Sequence, residues 1–567
     1  MAPTTPRRVL AWLLVLRVVN AALVWTFFQP DEYYQSLEPA WAAAFGPDSG
    51  AYITWEWNHQ LRSSLHPVLF AAVYKTADYV SSLGSLSEPL RSGLLLWAPK
   101  LTQAVFAALS DFYTWRLAAK LYGPESAASS AALWMTALNP WQWYCSVRTF
   151  SNSLETTLTI AALNHWPWQL VGPATPVKEN RRAPASALSV NSLRLSLLLA
   201  AIAVLLRPTN ILIWLPVLLL TLCPALVSSA STNPSSGTVF VLLREVVICG
   251  LLALGLSLAS DRAYFGFWTF PPYKWLHFNI SQSLAVFYGR NPWHYYFLQG
   301  LPLLCTTLLP FVLPALYRPD AGASPALRVL PWTVYTTVGA LSLISHKEVR
   351  FTYPLLPVLH ILGAPRVANF FVDAPTRKLK NKAYLVAGLG VNVLLASYLS
   401  LAHQVAPISV LSFLRSEFVR LHPDATQEGL FVMFLTPCHS TPWRSHLVHS
   451  DLTARALTCE PPLHTHPGTP ERESYRDEAD RFYDDPQRFL STELWPGDGG
   501  PEGIPRFIVG FEGVEPWLEE FFAREGKDKG VKIDKVWEGW NGFFSEDWRR
   551  AGRLVVWDTG VHSAQDS

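Results

Sequence analysis

Apolar runs of roughly 17–22 residues recur along about the first 400 positions of the chain, each close to the ~20 residues a helix needs to cross a ~30 Å hydrocarbon core. The hydropathy pattern places about eleven spans, near 9–28, 93–116, 127–145, 150–170, 191–206, 209–227, 239–260, 297–317, 328–345, 351–371 and 383–402. The stretch 67–80 is apolar but short, so it is expected to lie at the interface or re-enter. After residue 403 the pattern changes. Short apolar runs at 430–435, 506–510 and 554–557 read as buried strands, separated by polar and helical stretches such as 515–524. The charged run 471–485 reads as a solvated helix or loop, and 228–236 as a small-residue linker. The expected fold is a polytopic α-helical membrane protein over 1–403, with a first loop at about 29–92, followed by a small C-terminal α/β domain over 404–567.

Composition agrees. Half the residues are apolar and only 16% are charged, with 24 Trp and 30 Phe, which excludes an ordinary soluble domain. A net charge of +2 argues against an extended nucleic-acid face, leaving membrane lipids as the surroundings that shaped the chain. Arg7 and Arg8 ahead of the first run put the N-terminus in the cytosol, and no small-x-small cleavage site precedes Gln29, so that run is expected to be retained. Arg116/Lys120, Lys178/Arg181/Arg182 and Arg377/Lys378/Lys380/Lys382 then all fall on the cytosolic side. The sequon Asn279-Ile280-Ser281 falls opposite, making Asn279 a candidate glycan acceptor in the lumen. An odd span count also makes the tail lumenal, where Cys438 and Cys459 can form a disulfide; Cys145, Cys223, Cys249 and Cys305 read as thiols in or beside apolar segments.

Four polar constellations fall on that lumenal face: 29–35 with Asp31, Glu32 and Gln35; 146–155 with Arg148 and Glu155; 207–210 beginning at Arg207; and Ser345-His346-Lys347-Glu348-Val349-Arg350-Phe351. The last has four ionisable side chains in five positions, where each group near hydrocarbon costs about 2.5–3.5 kcal/mol. Individually these have plain readings: a solvated boundary, a helix end before proline, a snorkelling Arg148, a local Glu348–Arg350 pair. Their convergence on one face points further. Asp31 or Glu32 can take a proton from an attacking hydroxyl, while Arg148, Arg207, His346, Lys347 and Arg350 can hold a phosphate. Lys100 is expected near the lumenal end of the second span, close enough to join them; Asp111, eleven residues on, is expected to cap or pair within the bundle. The aromatic loop 265–296 reads mainly as an interfacial belt, some of whose rings can stack on sugars or line a lipid groove.

The first-loop P-D-E-x-x-Q, the R-T-x-S-N-x-x-E stretch, R-P-T and the H-K-E-x-R-F run resemble the dolichyl-phosphate-mannose-dependent mannosyltransferases of the GT-C fold. Trp55-Glu56-Trp57 with Leu61-Arg62-Ser63 and Pro67, together with Pro437-Cys438-His439-Ser440-Thr441-Pro442-Trp443, look more like the members that build GPI anchors. Gln29 stands where many relatives carry His, which puts a role for that position in doubt. The resemblance implies transfer of the third mannose, in α1,2 linkage, from dolichyl phosphate mannose to a GPI glycolipid precursor in the endoplasmic reticulum lumen. A β-linked donor and an α product imply inversion by single displacement, with Asp31 as base and Glu32 orienting the acceptor or substituting for it. Glu348, Gln35, Glu155, Trp55, Arg62 and Lys100 are expected in supporting or acceptor-binding roles. No metal or other cofactor is expected, because cations can stabilise the phosphate leaving group and no cluster has metal-ligand spacing. The competing readings are a family member acting on a dolichol-linked N-glycan precursor, a transporter or scramblase, and a non-catalytic subunit.

Overall fold

The computed structural model describes residues 5–171, 189–227, 233–278, 287, 289–318, 325–373, 375–421, 429–466, 468–496, 503–526 and 531–561. Asn279 lies outside them, as do Lys178, Arg181 and Arg182 and part of 228–236.

Every expected span carries helix, with breaks that the chemistry explains. The segment 127–145 divides into Ala127–Leu138 and Pro140–Cys145, because Asn139 caps the second helix through its side chain and Pro140 opens it. The segment 351–371 begins as the 3-10 turn Val349–Leu355 and becomes α-helical at Leu356–Phe371. The second span is longer than its apolar stretch: Glu88–Tyr122 runs 35 residues, about 52 Å. By length and composition, three described segments suffice to cross a membrane: Ser236–Phe265, Tyr296–Tyr317 and Lys382–Leu421. Other helices, such as Ala127–Leu138, Val190–Leu206 and Pro208–Leu222, are apolar but shorter. Leu65–Leu83, covering the ambiguous 67–80 run, is a 19-residue helix within the first loop, packed against Tyr33–Leu37, Glu38–Phe45 and Glu88–Tyr122.

Asp111 does pair inside the bundle. It receives Arg17 Nε at 2.6 Å and Gln142 Nε2 at 2.8 Å, and both members of the ion pair are fully buried.

The tail is an α/β fold around a five-stranded sheet in the order β2-β1-β3-β5-β4, with β1 at Leu430–Leu435, β2 at Leu452–Ala456, β3 at Phe507–Phe511, β4 at Asp534–Gly539 and β5 at Leu554–Asp558. β1 pairs in parallel with β2 and β3; β5 runs antiparallel to β3 and β4. Alternate residues face opposite sides. Met433, Leu435, Ile508, Val555 and Trp557 pack under Phe482, Leu490 and Leu518, so the 471–485 stretch is not wholly solvated: Ala479, Phe482 and Tyr483 join the core. Val432, Phe434, Val509 and Val556 pack instead into one core with Trp41, Phe70, Tyr74 and the helix Ala406–Leu421. The tail and the first loop are therefore built against each other.

Candidate active site

The first-loop carboxylates leave a helical turn that begins at Pro30, whose carbonyl accepts the N–H groups of Tyr33 and Tyr34 at 2.9 Å. The turn widens into a π-helix over Tyr33–Leu37, a feature frequent at functional sites. Successive helical residues point about 100° apart, which sends the two carboxylates to different partners.

Glu32 turns inward. It accepts Arg148 Nη1 at 2.9 Å, and the remaining Arg148 donors go to the Thr26 carbonyl at 2.7 Å, Thr26 Oγ1 at 2.9 Å and the Tyr144 carbonyl at 3.0 Å. The guanidinium lies 4.3 Å from the Tyr144 ring centroid, with Arg148 2% and Glu32 5% exposed. Arg148 thus locks the first loop to the bundle, and this geometry does not offer it to a phosphate. Glu32 is likewise committed, which leaves Asp31 as the accessible carboxylate. Lys100 sits behind this pair: its Nζ donates to the Val24 carbonyl at 3.3 Å and lies over the Trp25 and Trp97 rings. With Thr26, Glu32 and Arg148 it lines a small cavity.

Asp31 turns the other way, into an ion pair with Arg350 from 319 residues along the chain. Arg350 also grips Glu348 in a fork, at 2.6 and 2.8 Å, and His346 Nε2 lies 3.1 Å from Glu348 Oε1. Burial pushes the Glu348 carboxyl up, but Arg350 and His346 beside it hold it well below the usual range. Lys347 departs from expectation. Its ammonium turns inward to the carbonyls of Asn291, at 2.9 Å, and Ile344, while Asn291 Nδ2 donates back to the Lys347 carbonyl at 2.8 Å. Lys347 fastens the charged loop to the 289–291 segment instead of presenting a point charge.

Arg207 has no ion pair and no side-chain hydrogen bond among the described residues; its guanidinium lies 5.3 Å from the Phe351 ring centroid. Burial, with Arg62 and Arg350 nearby, pushes it down to about 10 despite the opposing pull of Glu155 and Asp31. Glu155 accepts from Asn210 at 2.9 Å and Asn152 at 3.1 Å, tying the 146–155 stretch to R-P-T. Arg62 forks onto Glu56 at 2.9 and 3.1 Å, and Gln35 donates to the same carboxylate at 3.0 Å. Trp55 is buried in the short helix that carries Glu56. Arg350 is thus paired with Asp31, and Arg207 and Arg62 interact with it electrostatically.

Tail residues close one side. Cys438 and Cys459 are joined in a disulfide. The segment they frame rests on the first loop: Tyr34 donates to the Thr441 carbonyl at 2.8 Å and the His439 ring lies 4.2 Å from that of Tyr34. Glu38, fully buried, receives the backbone N–H groups of Ser445 at 2.8 Å, Tyr52 at 3.1 Å and Arg444 at 3.2 Å. The sequence pattern assigned no roles to Glu56, Glu38, His439 and Asn291; the W-E-W and P-C-H-S-T-P-W motifs, which contain Glu56 and His439, were the available signal for those two.

The sequence pattern of the Alg9-like mannosyltransferase family matches residues 8–448. GPI mannosyltransferase 3 of Gibberella zeae is 55% identical over 580 residues, covering 97% of this chain and 94% of that protein. GPI alpha-1,2-mannosyltransferase 3 of Homo sapiens is 33% identical, covering 90% and 81%. Among solved structures, ArnT from Cupriavidus metallidurans bound to undecaprenyl phosphate superposes with a TM-score of 0.56 at 14% identity, covering 98% of each chain. That likeness shows the expected GT-C type of fold in a multi-pass membrane protein.

Proposed function

The chain belongs to the Alg9-like mannosyltransferase family, and from that membership we propose that it adds the third mannose, in α1,2 linkage, to a GPI-anchor precursor, using dolichyl phosphate mannose at the lumenal face of the endoplasmic reticulum. The names of its relatives support the acceptor. The observation that carries the chemistry is the Asp31–Arg350 pair, which brings the acidic first loop against the cationic loop from 319 residues away.

The reaction is one displacement. The acceptor hydroxyl oxygen attacks the anomeric carbon of the donor, the bond from that carbon to the phosphate oxygen breaks with its electron pair on the phosphate, and Asp31 takes the hydroxyl proton. Inversion requires no covalent intermediate. Asp31 suits the base because it is partly exposed, whereas Glu32 is buried against Arg148. Arg350 fixes the Asp31 carboxylate, and Glu348, sharing that guanidinium, offsets part of its charge. Arg207, uncommitted among the described residues, is the principal phosphate ligand, with Arg62 and Arg350 adding field. His346 borders this group through Glu348. These cations carry the leaving-group charge without a metal; Cys438, His439 and Cys459 lie together, but the disulfide occupies both sulfurs. Gln35, Glu56, Arg62 and Trp55 form the acceptor side.

Purified protein supplied with dolichyl phosphate mannose and a GPI precursor bearing two mannoses is expected to yield the three-mannose product. Cells lacking the protein should accumulate the two-mannose lipid. Accumulation of a truncated N-glycan precursor would overturn the assignment.

A further inference from the structure

The tail carries an apolar surface loop that neither its own core nor the Asp31 site uses. Between β4 and β5 the chain runs Trp540-Asn541-Gly542-Phe543-Phe544. Phe543 and Phe544 are each 75% exposed, and the half-exposed Trp540 joins them, its ring centroid 5.0 Å from that of Phe543. Exposed apolar residues scattered singly are ordinary; three large rings within five positions form a patch that calls for a partner.

The surroundings of the patch identify that partner. The loop is fastened to the end of a helix long and apolar enough to cross a membrane. The Asn541 carbonyl accepts the Gln404 N–H at 3.0 Å, the Phe543 N–H donates to Tyr398 Oη at 3.3 Å, and the Phe543 and Tyr398 rings stack with centroids 6.0 Å apart. Gly542, at φ +112°, lets the loop backbone close on His403, whose Nδ1 a Cβ there would meet at 3.3 Å. Helix Lys382–Leu401 has 20 residues, about 30 Å, which matches the hydrocarbon core. Its Val386, Val391, Val393 and Leu394 are exposed, an apolar face suited to lipid. Lys382 begins the helix, and Tyr398 lies three residues, about 5 Å, from its other end, the level at which aromatic side chains gather. A second helix sets the same level. Just beyond Pro6–Leu23, the Trp25 N–H donates to the Ser400 carbonyl and the Phe27 N–H to the Gln404 carbonyl, both at 2.9 Å, and the Trp25 side chain is exposed. The Asp547 carboxylate is held within the tail by Arg549, at 2.9 and 3.0 Å.

We propose that Trp540, Phe543 and Phe544 insert into the interfacial zone of the bilayer leaflet on the tail's side. The partner is the lipid surface itself, and the rings form an anchor that sets the height of the sheet domain over the bundle. Insertion does not depend on which sugar or acceptor the Asp31 site uses.

The test uses the full-length protein in phosphatidylcholine nanodiscs, with Cys223→Ser removing the exposed thiol and a nitroxide attached at Phe544→Cys. Collision with oxygen, which concentrates in lipid, and with a water-soluble nickel chelate reports the depth of the label. Thr492→Cys, exposed on the tail, and Leu394→Cys, on the lipid-facing helix, supply the two reference values. The label at 544 is expected to give an oxygen-to-nickel accessibility ratio at least about threefold above that at 492, toward the value at 394. A ratio equal to that at 492 would leave the loop in water and overturn the proposal. Exclusion of both reagents would place the patch against protein, whether a second copy or another chain, and overturn it equally. Trp540→Cys reads the same loop from its other ring, so a Phe544→Cys protein that fails to fold does not remove the test.

Discussion

At the scale of single residues, two adjacent carboxylates have been given different work by their surroundings. Glu32 is sealed against Arg148, and removing one partner strands a buried charge, a loss of about 3–5 kcal/mol. Arg148→Ala is therefore expected to lower protein yield and melting temperature, where a phosphate-clamp residue would chiefly raise the donor KM. A thermal melt alongside donor kinetics distinguishes the two. His439 gives a pH signature. Burial and Arg550 push its ring down to about 4, below the ordinary 6.5, so between those values the unfolded chain binds more protons and stability falls as pH falls. Going from pH 7 to pH 5 should cost about 2 kcal/mol through this group, and His439→Gln should flatten that part of the melting profile. A slope unchanged by the substitution would remove His439 as its source. The carboxylates and cations at this scale were legible in the sequence, because charge beside hydrocarbon needs a reason. Their partners were not: nothing in the local pattern distinguishes an Arg148 facing a ligand from one facing Glu32, or turns Lys347 inward.

At the scale of elements, β1, β3 and β5 were readable because they are central and apolar on both faces, whereas β2 and β4 are half-exposed edge strands with a polar composition. The break at Asn139 has a cap followed by proline, and its signal is local; the widened turn at Tyr33–Leu37 has no such signal. The Cys438–Cys459 pair closes a 21-residue separation around the segment that rests on Tyr34. Replacing both by Ser is expected to destabilise the tail by about 2–4 kcal/mol and to reduce transfer, with the membrane helices still folded. Limited proteolysis should cut first within 438–459; protection equal to the parent would contradict this.

At the scale of the whole molecule, the candidate site draws on the first loop, the R-P-T turn and the 345–351 loop, and the first loop shares one core with the tail, so activity and the docking of the tail are expected to be coupled. Glu38→Ala, which leaves three backbone N–H groups without their acceptor, should loosen that docking and lower kcat although Glu38 touches no proposed substrate group. Hydrogen exchange in β1 and in 31–45 should rise together. The central claim is that Asp31, set by Arg350, removes the acceptor proton. Its most direct test is single-turnover mannosyl transfer by Asp31→Asn, with donor binding measured on the same preparation. Transfer should fall by about 10²–10⁴-fold while donor affinity stays within about threefold of the parent. Near-normal turnover, or a loss fully explained by weaker donor binding, would contradict the account.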